Sequence, residues 1–215
     1  MIKVQKAPAP EWFQTWANPP CPDPTHTYEN LREKSELKQA LLSEQGFLCC
    51  YCGRAVTLDN SHNEHFRPQS KYPELALCYD NIHASCSSSS PDPHCGDAKQ
   101  DTFDEELCIS PIDVDERRFL FTHSGHVSPK NTDDASAKHM IEILKLNSSE
   151  LTIARREILK TLFSSSDGLS HADLQQLHAA YQVRGSDNHF RPFRHVVTSY
   201  INNETAAQPP IAPDP

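Results

Sequence analysis

The chain has 215 residues, enough for one ordinary domain or two small ones, and a formal net charge of -9 from 20 basic and 29 acidic side chains. That balance argues against a basic, stand-alone nucleic-acid binder, though a locally basic cleft, a metal ion or a partner can still supply positive charge. The amino-terminal stretch has no apolar core and no run is long enough to span a bilayer, so the reading is no signal peptide, no membrane and a cytoplasmic protein.

Residues 1–26 read as an extended, proline-rich arm, with Trp12, Phe13 and Trp16 as docking points on the body. From Thr27 to Gln45 the pattern turns helical. Tyr28, Leu31, Leu37, Leu41 and Leu42 share one apolar face, Thr27 is the expected N-cap and Gly46 the expected stop. Residues 47 to about 105 form a cysteine and histidine core with short β-like pieces. Ala55 to Leu58 is the expected strand, and Ser87 to Ser90 with Pro91 and Pro93 is a loop. Arg118 to Thr122 and Val127 flank Ser124-Gly125, a hairpin signal. Three helices then follow. One is capped by Asn147 with Glu150, and one opens at Ser170 and Asp173. The last carries Phe193, Val196, Val197, Tyr200 and Ile201 at helical spacing. The chain from about Glu204 onward is polar and proline-rich and is expected to be disordered. The resulting division is an arm over 1–26, a core with leading helix and trailing hairpin over 27–130, a helical region over 131–203 and a tail over 204–215.

Of the eight cysteines, Cys49 and Cys52 form a C-x-x-C knuckle, which points two sulfurs at one ion, and Cys86 and Cys95 complete a tetrahedral set. Four thiolates leave no open position, so this zinc is structural. His94 is a competing fourth ligand, and a redox C-x-x-C is the alternative use of the knuckle. Cys21, Cys50, Cys78 and Cys108 lack ligand spacing and read as free thiols.

Between the cysteine pairs lies Glu64-His65-Phe66-Arg67-Pro68-Gln69-Ser70, an acid beside a histidine. Phosphodiester hydrolysis needs an activated water, a counter-charge for the phosphorane and help for the leaving oxygen. A neutral imidazole can take the water proton near pH 7, which makes His65 the candidate base. On a regular strand Glu64 would point the other way, so both reach one cleft only if the strand kinks.

The knuckle, the E-H-F-R-P-Q-S run, Asp80-Asn81 and Cys95-Gly96-Asp97-Ala98-Lys99 together resemble the HNH endonuclease family. The run from Glu44 to Arg54 is similar to the PtuB-like subfamily of Septu and retron-associated anti-phage systems. The likeness covers roughly residues 28 to 165. It implies an α+β fold, a zinc-stapled ββα-metal core with a leading helix and a trailing helical region. It also implies a metal-dependent endonuclease in which Glu64 ligates Mg²⁺ or Mn²⁺ while Asn81 fixes the loop carrying the base. Lys99, Arg67 and Lys71 are the implied phosphate contacts. The implied partners are a nucleic acid (DNA or tRNA), a PtuA-like ABC/SMC-type ATPase, and a retron reverse transcriptase with its RNA–DNA. One departure stands out. Where the family usually has a histidine or asparagine after the last cysteine, this chain has Gly96, and Asp97, His94, His83 or water must fill that place. The rival reading is a catalytically inactive zinc-binding scaffold.

Overall fold

A computed structural model describes residues 1–18, 24–88, 91–163 and 169–207. The fold is α+β, with two small antiparallel sheets set among helices. The arm is not extended throughout. Helix α1 (Glu11–Ala17) forms because Trp12, Phe13 and Trp16 sit one turn apart, and Phe13 buries against Tyr79, with ring centroids 5.8 Å apart. Trp12 stays largely exposed, and Trp16 stacks on His26. Ahead of α1, Ile2 and Val4 are buried and Lys6 makes a buried ion pair with Glu44. The prolines at 19, 20 and 22 and Cys21 lie outside the described residues.

Helix α2 (Lys34–Glu44) starts later than the apolar spacing predicts. The Thr27 hydroxyl accepts from the Asn30 amide, but it caps a single turn. The Thr27 carbonyl is taken by the Leu31 amide and the Trp16 indole, so the helix restarts downstream. Leu37, Leu41 and Leu42 are fully buried, each contributing about 1.5–3 kcal/mol. Gly46 ends the helix at φ +60°, a conformation that a side chain would strain.

The expected strand over 55–58 reduces to one bridge, Leu48 to Ala55, which closes the first cysteine knuckle. The Asn60 side chain then accepts from the Thr57 amide and turns the chain. The true strand is the polar β1 (Ser61–His65), paired with β2 (Ile82–Cys86), so that Ser61 faces Cys86, Glu64 faces His83 and His65 faces Ile82. Its outer neighbours, not hydrophobic alternation, hold this pair. Gln45, at the end of α2, accepts from the Ala84 amide and donates to its carbonyl, which also accepts from Cys50. After β2 the chain turns into α3 (Gly96–Lys99), one short helical turn.

The hairpin forms as predicted, with β3 (Phe119–Phe121) paired to β4 (Val127–Pro129). Gly125 closes it at φ +86°, where a Cβ would strike the Thr152 carbonyl. Helix α4 (Ala135–Ile143) follows, capped by Asp134. Asn147 does not cap the next helix. Its amide bonds both backbone groups of Val127, and α5 (Ser149–Phe163) begins two residues later. The Ser170–Asp173 capping box does open α6 (His171–Gln182). Helix α7 (Arg194–Ala207) runs into the region expected to be disordered, and residues 208–215 lie outside the described residues. The apolar faces of α6 and α7 bury Leu174, Tyr181, Val197 and Ile201 against Ile158, Leu162 and Phe163 of α5. These faces therefore serve the fold. No helix among the described residues is long and apolar enough to cross a membrane.

Candidate active site and metal centre

The two turns around β1 and β2 bring the four predicted cysteines together. Gly53, at φ +71°, returns its amide to the Cys49 carbonyl, the usual way a knuckle aims two sulfurs at one point. Cys86 ends β2, and Cys95 is held by its amide on the Leu144 carbonyl. The sulfurs of Cys49, Cys52, Cys86 and Cys95 all lie within 4.8 Å of one another and are buried. Cys52 and Cys86 stand 3.8 Å apart, unbonded. Sulfurs bound about 2.3 Å from one tetrahedral zinc are themselves about 3.8 Å apart, so the quartet can hold a metal ion such as zinc.

Its electrostatics fit the same ion. Burial opposes ionisation of Cys49, but the thiols of Cys50, Cys52, Cys86 and Cys95 donate to it and hold its pKa well down. Hydrogen bonding to Cys49 and Cys52 pushes the Cys86 thiol up, and burial does the same for Cys95. One thiolate is tolerated; four need a central cation. His94 does not replace a cysteine. Its Nδ1 faces the sulfurs of Cys95 (3.4 Å) and Cys86 (3.6 Å), and its Nε2 lies 3.5 Å from Glu150, which also pairs with Arg54. Arg155, buried beside Cys52 and Cys95, adds positive charge, its pKa lowered to about 10 by desolvation.

Glu64 and His65 both belong to the regular β1 ladder, so no kink turns them into one cleft. Glu64 is buried on one face. Its Oε1 accepts from the Tyr51 hydroxyl and the Lys99 ammonium, each at 2.9 Å, and its Oε2 lies 3.3 Å from His62 Nε2. Burial opposes its ionisation, but His62 and Lys99 outweigh that and hold its pKa below the usual carboxylate range. Lys99, expected at the phosphate, is instead 1% exposed. It spans Glu64 and the His65 carbonyl because a buried carboxylate needs its charge matched there.

On the other face the Tyr28 ring meets His65 edge-on at 4.5 Å. His65 Nε2 lies 2.9 Å from the Ala76 carbonyl, which can only accept, so Nε2 carries the proton. Nδ1 is then the basic nitrogen, and it accepts from the Gln69 amide at 3.2 Å. Burial lowers the His65 pKa, which favours the neutral ring. Asn81 exchanges two hydrogen bonds with the backbone of Arg67 (2.7 and 3.0 Å) and donates to the Leu75 carbonyl. It thus ties both sides of the loop that flanks His65. Arg67 and Lys71 are exposed beyond this loop.

His83, across from Glu64, is fully buried. Its ring nitrogens have no hydrogen-bond partner, and burial drives its pKa well down. Asp97 contacts His62 and the loop after β2. Its Oδ1 lies 3.7 Å from His62 Nδ1, and its Oδ2 accepts from the Ser88 amide. His62, which belongs to none of the motifs quoted from the sequence, therefore stands between the two acids. Its spacing of two from Glu64, on one strand face, was the available signal.

No family model matches the chain. It is similar, at 28% identity over 138 residues, to a protein of Vibrio cholerae serotype O1 biovar El Tor named as the candidate HNH endonuclease of retron Vc95. The match covers 60% of this chain and 66% of that protein, so the chain spans slightly less than two thirds of the relative's length.

Proposed function

We propose that this protein is a metal-dependent endonuclease of the HNH type that hydrolyses nucleic-acid phosphodiester bonds. The similarity to a retron nuclease supports this at a coarse level. The observation that carries it is the state of His65, a neutral imidazole with Nε2–H anchored to Ala76 and Nδ1 left as an acceptor. In this reading β1, β2 and α3 are the ββα-metal core, stapled by zinc at the four cysteines. Glu64 supplies the hard oxygen for a divalent ion such as Mg²⁺ or Mn²⁺. When bound, that ion stabilises charge on the phosphate and the leaving oxygen.

His65 Nδ1 takes a proton from the attacking water, typically worth about 10²–10⁴-fold. Asn81 positions the loop that carries Arg67, and Arg67 and Lys71 meet the backbone phosphates. Lys99 serves as the buried counter-charge of Glu64.

The retron named in the relative, and the PtuB-like likeness, extend the proposal to an anti-phage effector. It would act with a PtuA-like ATPase, and with a retron reverse transcriptase and its RNA–DNA. The net charge of -9 fits such dependence, since a free polyanion is repelled. The division into arm, core, helical region and tail is part of the same proposal. The test is cleavage of DNA and tRNA with Mg²⁺ or Mn²⁺, with and without the ATPase, comparing wild type and His65→Ala. Loss of cutting in a zinc-loaded, folded His65→Ala supports the reading. Equal cutting by both overturns the role of His65, and no cutting by wild type under any condition favours the inactive scaffold.

A further inference from the structure

We propose that His62, and not a side chain following the last cysteine, is the imidazole ligand of the divalent ion at Glu64, with Asp97 orienting it rather than binding the ion. The inference rests on the endonuclease reading and names a ligand which that reading lacks.

Three observations carry it. The first is spacing. His62 and Glu64 are two residues apart on β1, so their side chains share a face, and His62 Nε2 lies 3.3 Å from Glu64 Oε2. Neighbouring ligands of one octahedral ion, each bound at about 2.1 Å, stand about 3 Å apart, so these two atoms already sit close to a shared ion's edge.

The second is the cradle at Gly96. A Cβ there would fall 2.5 Å from Glu64 Oε2 and 2.6 Å from His62 Nε2. Any side chain at residue 96 would collide with these two donor atoms, so only glycine lets them stand together here. The glycine that looked like a missing ligand is what admits an imidazole from the neighbouring strand.

The third is the far edge of the ring. His62 Nδ1 faces Asp97 Oδ1 at 3.7 Å and the Ser87 hydroxyl at 3.4 Å. Histidines that bind metals commonly give their second N–H to a carboxylate, which fixes the tautomer and leaves the other nitrogen's lone pair for the ion. The Asp97 carboxylate is itself pinned by the Ser88 amide at 2.6 Å. His62 is partly open to solvent, with its side chain 30% exposed, so an ion held there is within reach of a phosphate.

The experiment is Mn²⁺ binding to the full chain in its zinc-loaded form, read by calorimetry and by pulsed electron paramagnetic resonance, which detects a nitrogen bound to manganese. Wild type is expected to bind Mn²⁺ with a nitrogen coupling. His62→Ala should lose that coupling and bind at least about tenfold more weakly, while Gly96→Ala, which fills the cradle, should also bind more weakly. Zinc content and the thermal midpoint establish that each variant is folded. Binding by wild type without a nitrogen coupling overturns the inference, even if a variant fails to fold. So does a coupling that survives in His62→Ala, or unchanged affinity in Gly96→Ala; in each case the endonuclease reading stands. Failure of wild type to bind Mn²⁺ at all overturns both.

Discussion

Replacing Lys6 by methionine tests how the amino-terminal segment holds the β1–β2 core. Lys6 Nζ donates to Glu44 Oε1 at 2.7 Å and to the Ile82 carbonyl, the first residue of β2, at 2.6 Å. The two side chains are only 8% and 4% exposed. Burial lowers the Lys6 pKa in spite of Glu44, so desolvation outweighs the attraction and the pair as a whole adds no net stability. Removing one partner is different, because Glu44 is left charged and buried. Losing one side of such a pair costs about 3–5 kcal/mol. Glu44 would keep the Ala7 amide at 3.0 Å and the Tyr79 hydroxyl at 3.2 Å, which places Lys6→Met near the lower end, about 3 kcal/mol. At about 2–4 °C per kcal/mol for a chain of this size, the midpoint falls by about 6–12 °C. Lys6→Met with Glu44→Gln should cost less than Lys6→Met alone, because no charge remains to strand. Urea denaturation of the zinc-loaded protein, run as a double-mutant cycle, reads both values. A loss under about 1 kcal/mol for Lys6→Met, or additive losses in the cycle, refutes the reasoning.

Stripping zinc with a chelator, or Cys86→Ser, is expected to unfold the β1–β2 core, since the ion's binding energy is folding energy in a site of this kind; unchanged near-UV dichroism after complete zinc removal would count against it. Asn81→Ala removes three hydrogen bonds worth about 1 kcal/mol each and should lower kcat with zinc retained, whereas an unaltered kcat means that the loop is held by other contacts. Arg118 holds the Asp134 carboxyl below its usual range, through bonds of 2.7 and 2.5 Å. A depressed folded pKa gives stability that is complete above the unfolded value, about 4, and is lost as pH falls through the folded value. The stability gap between wild type and Asp134→Asn, which can still cap α4, should therefore shrink from pH 6 to pH 3. A gap that stays constant across that range denies the charge contribution.

The cysteine quartet was legible in the sequence because the geometry of a knuckle is a local property. Two cysteines three apart point the same way whatever surrounds them, and two more downstream complete the set. The β3–β4 hairpin and the Ser170–Asp173 capping box were legible for the same reason, since turn and cap chemistry act within a few residues. Strand β1 was not. Its residues, Ser-His-Asn-Glu-His, show no hydrophobic alternation, and what makes them a strand is β2, which Gln45 and Cys50 hold from its other side. The arrangement around Glu64 was hidden likewise. That Lys99 is buried beneath it, that Asp97 meets His62, and that only a glycine fits at 96 beside them all follow from packing α3 against β1. The sequence determined which chemical groups were available, because residue type and short spacing set donor chemistry. Only the tertiary structure decided which of them meet, because contacts between residues 62, 64, 96 and 99 depend on how strand and helix are brought together.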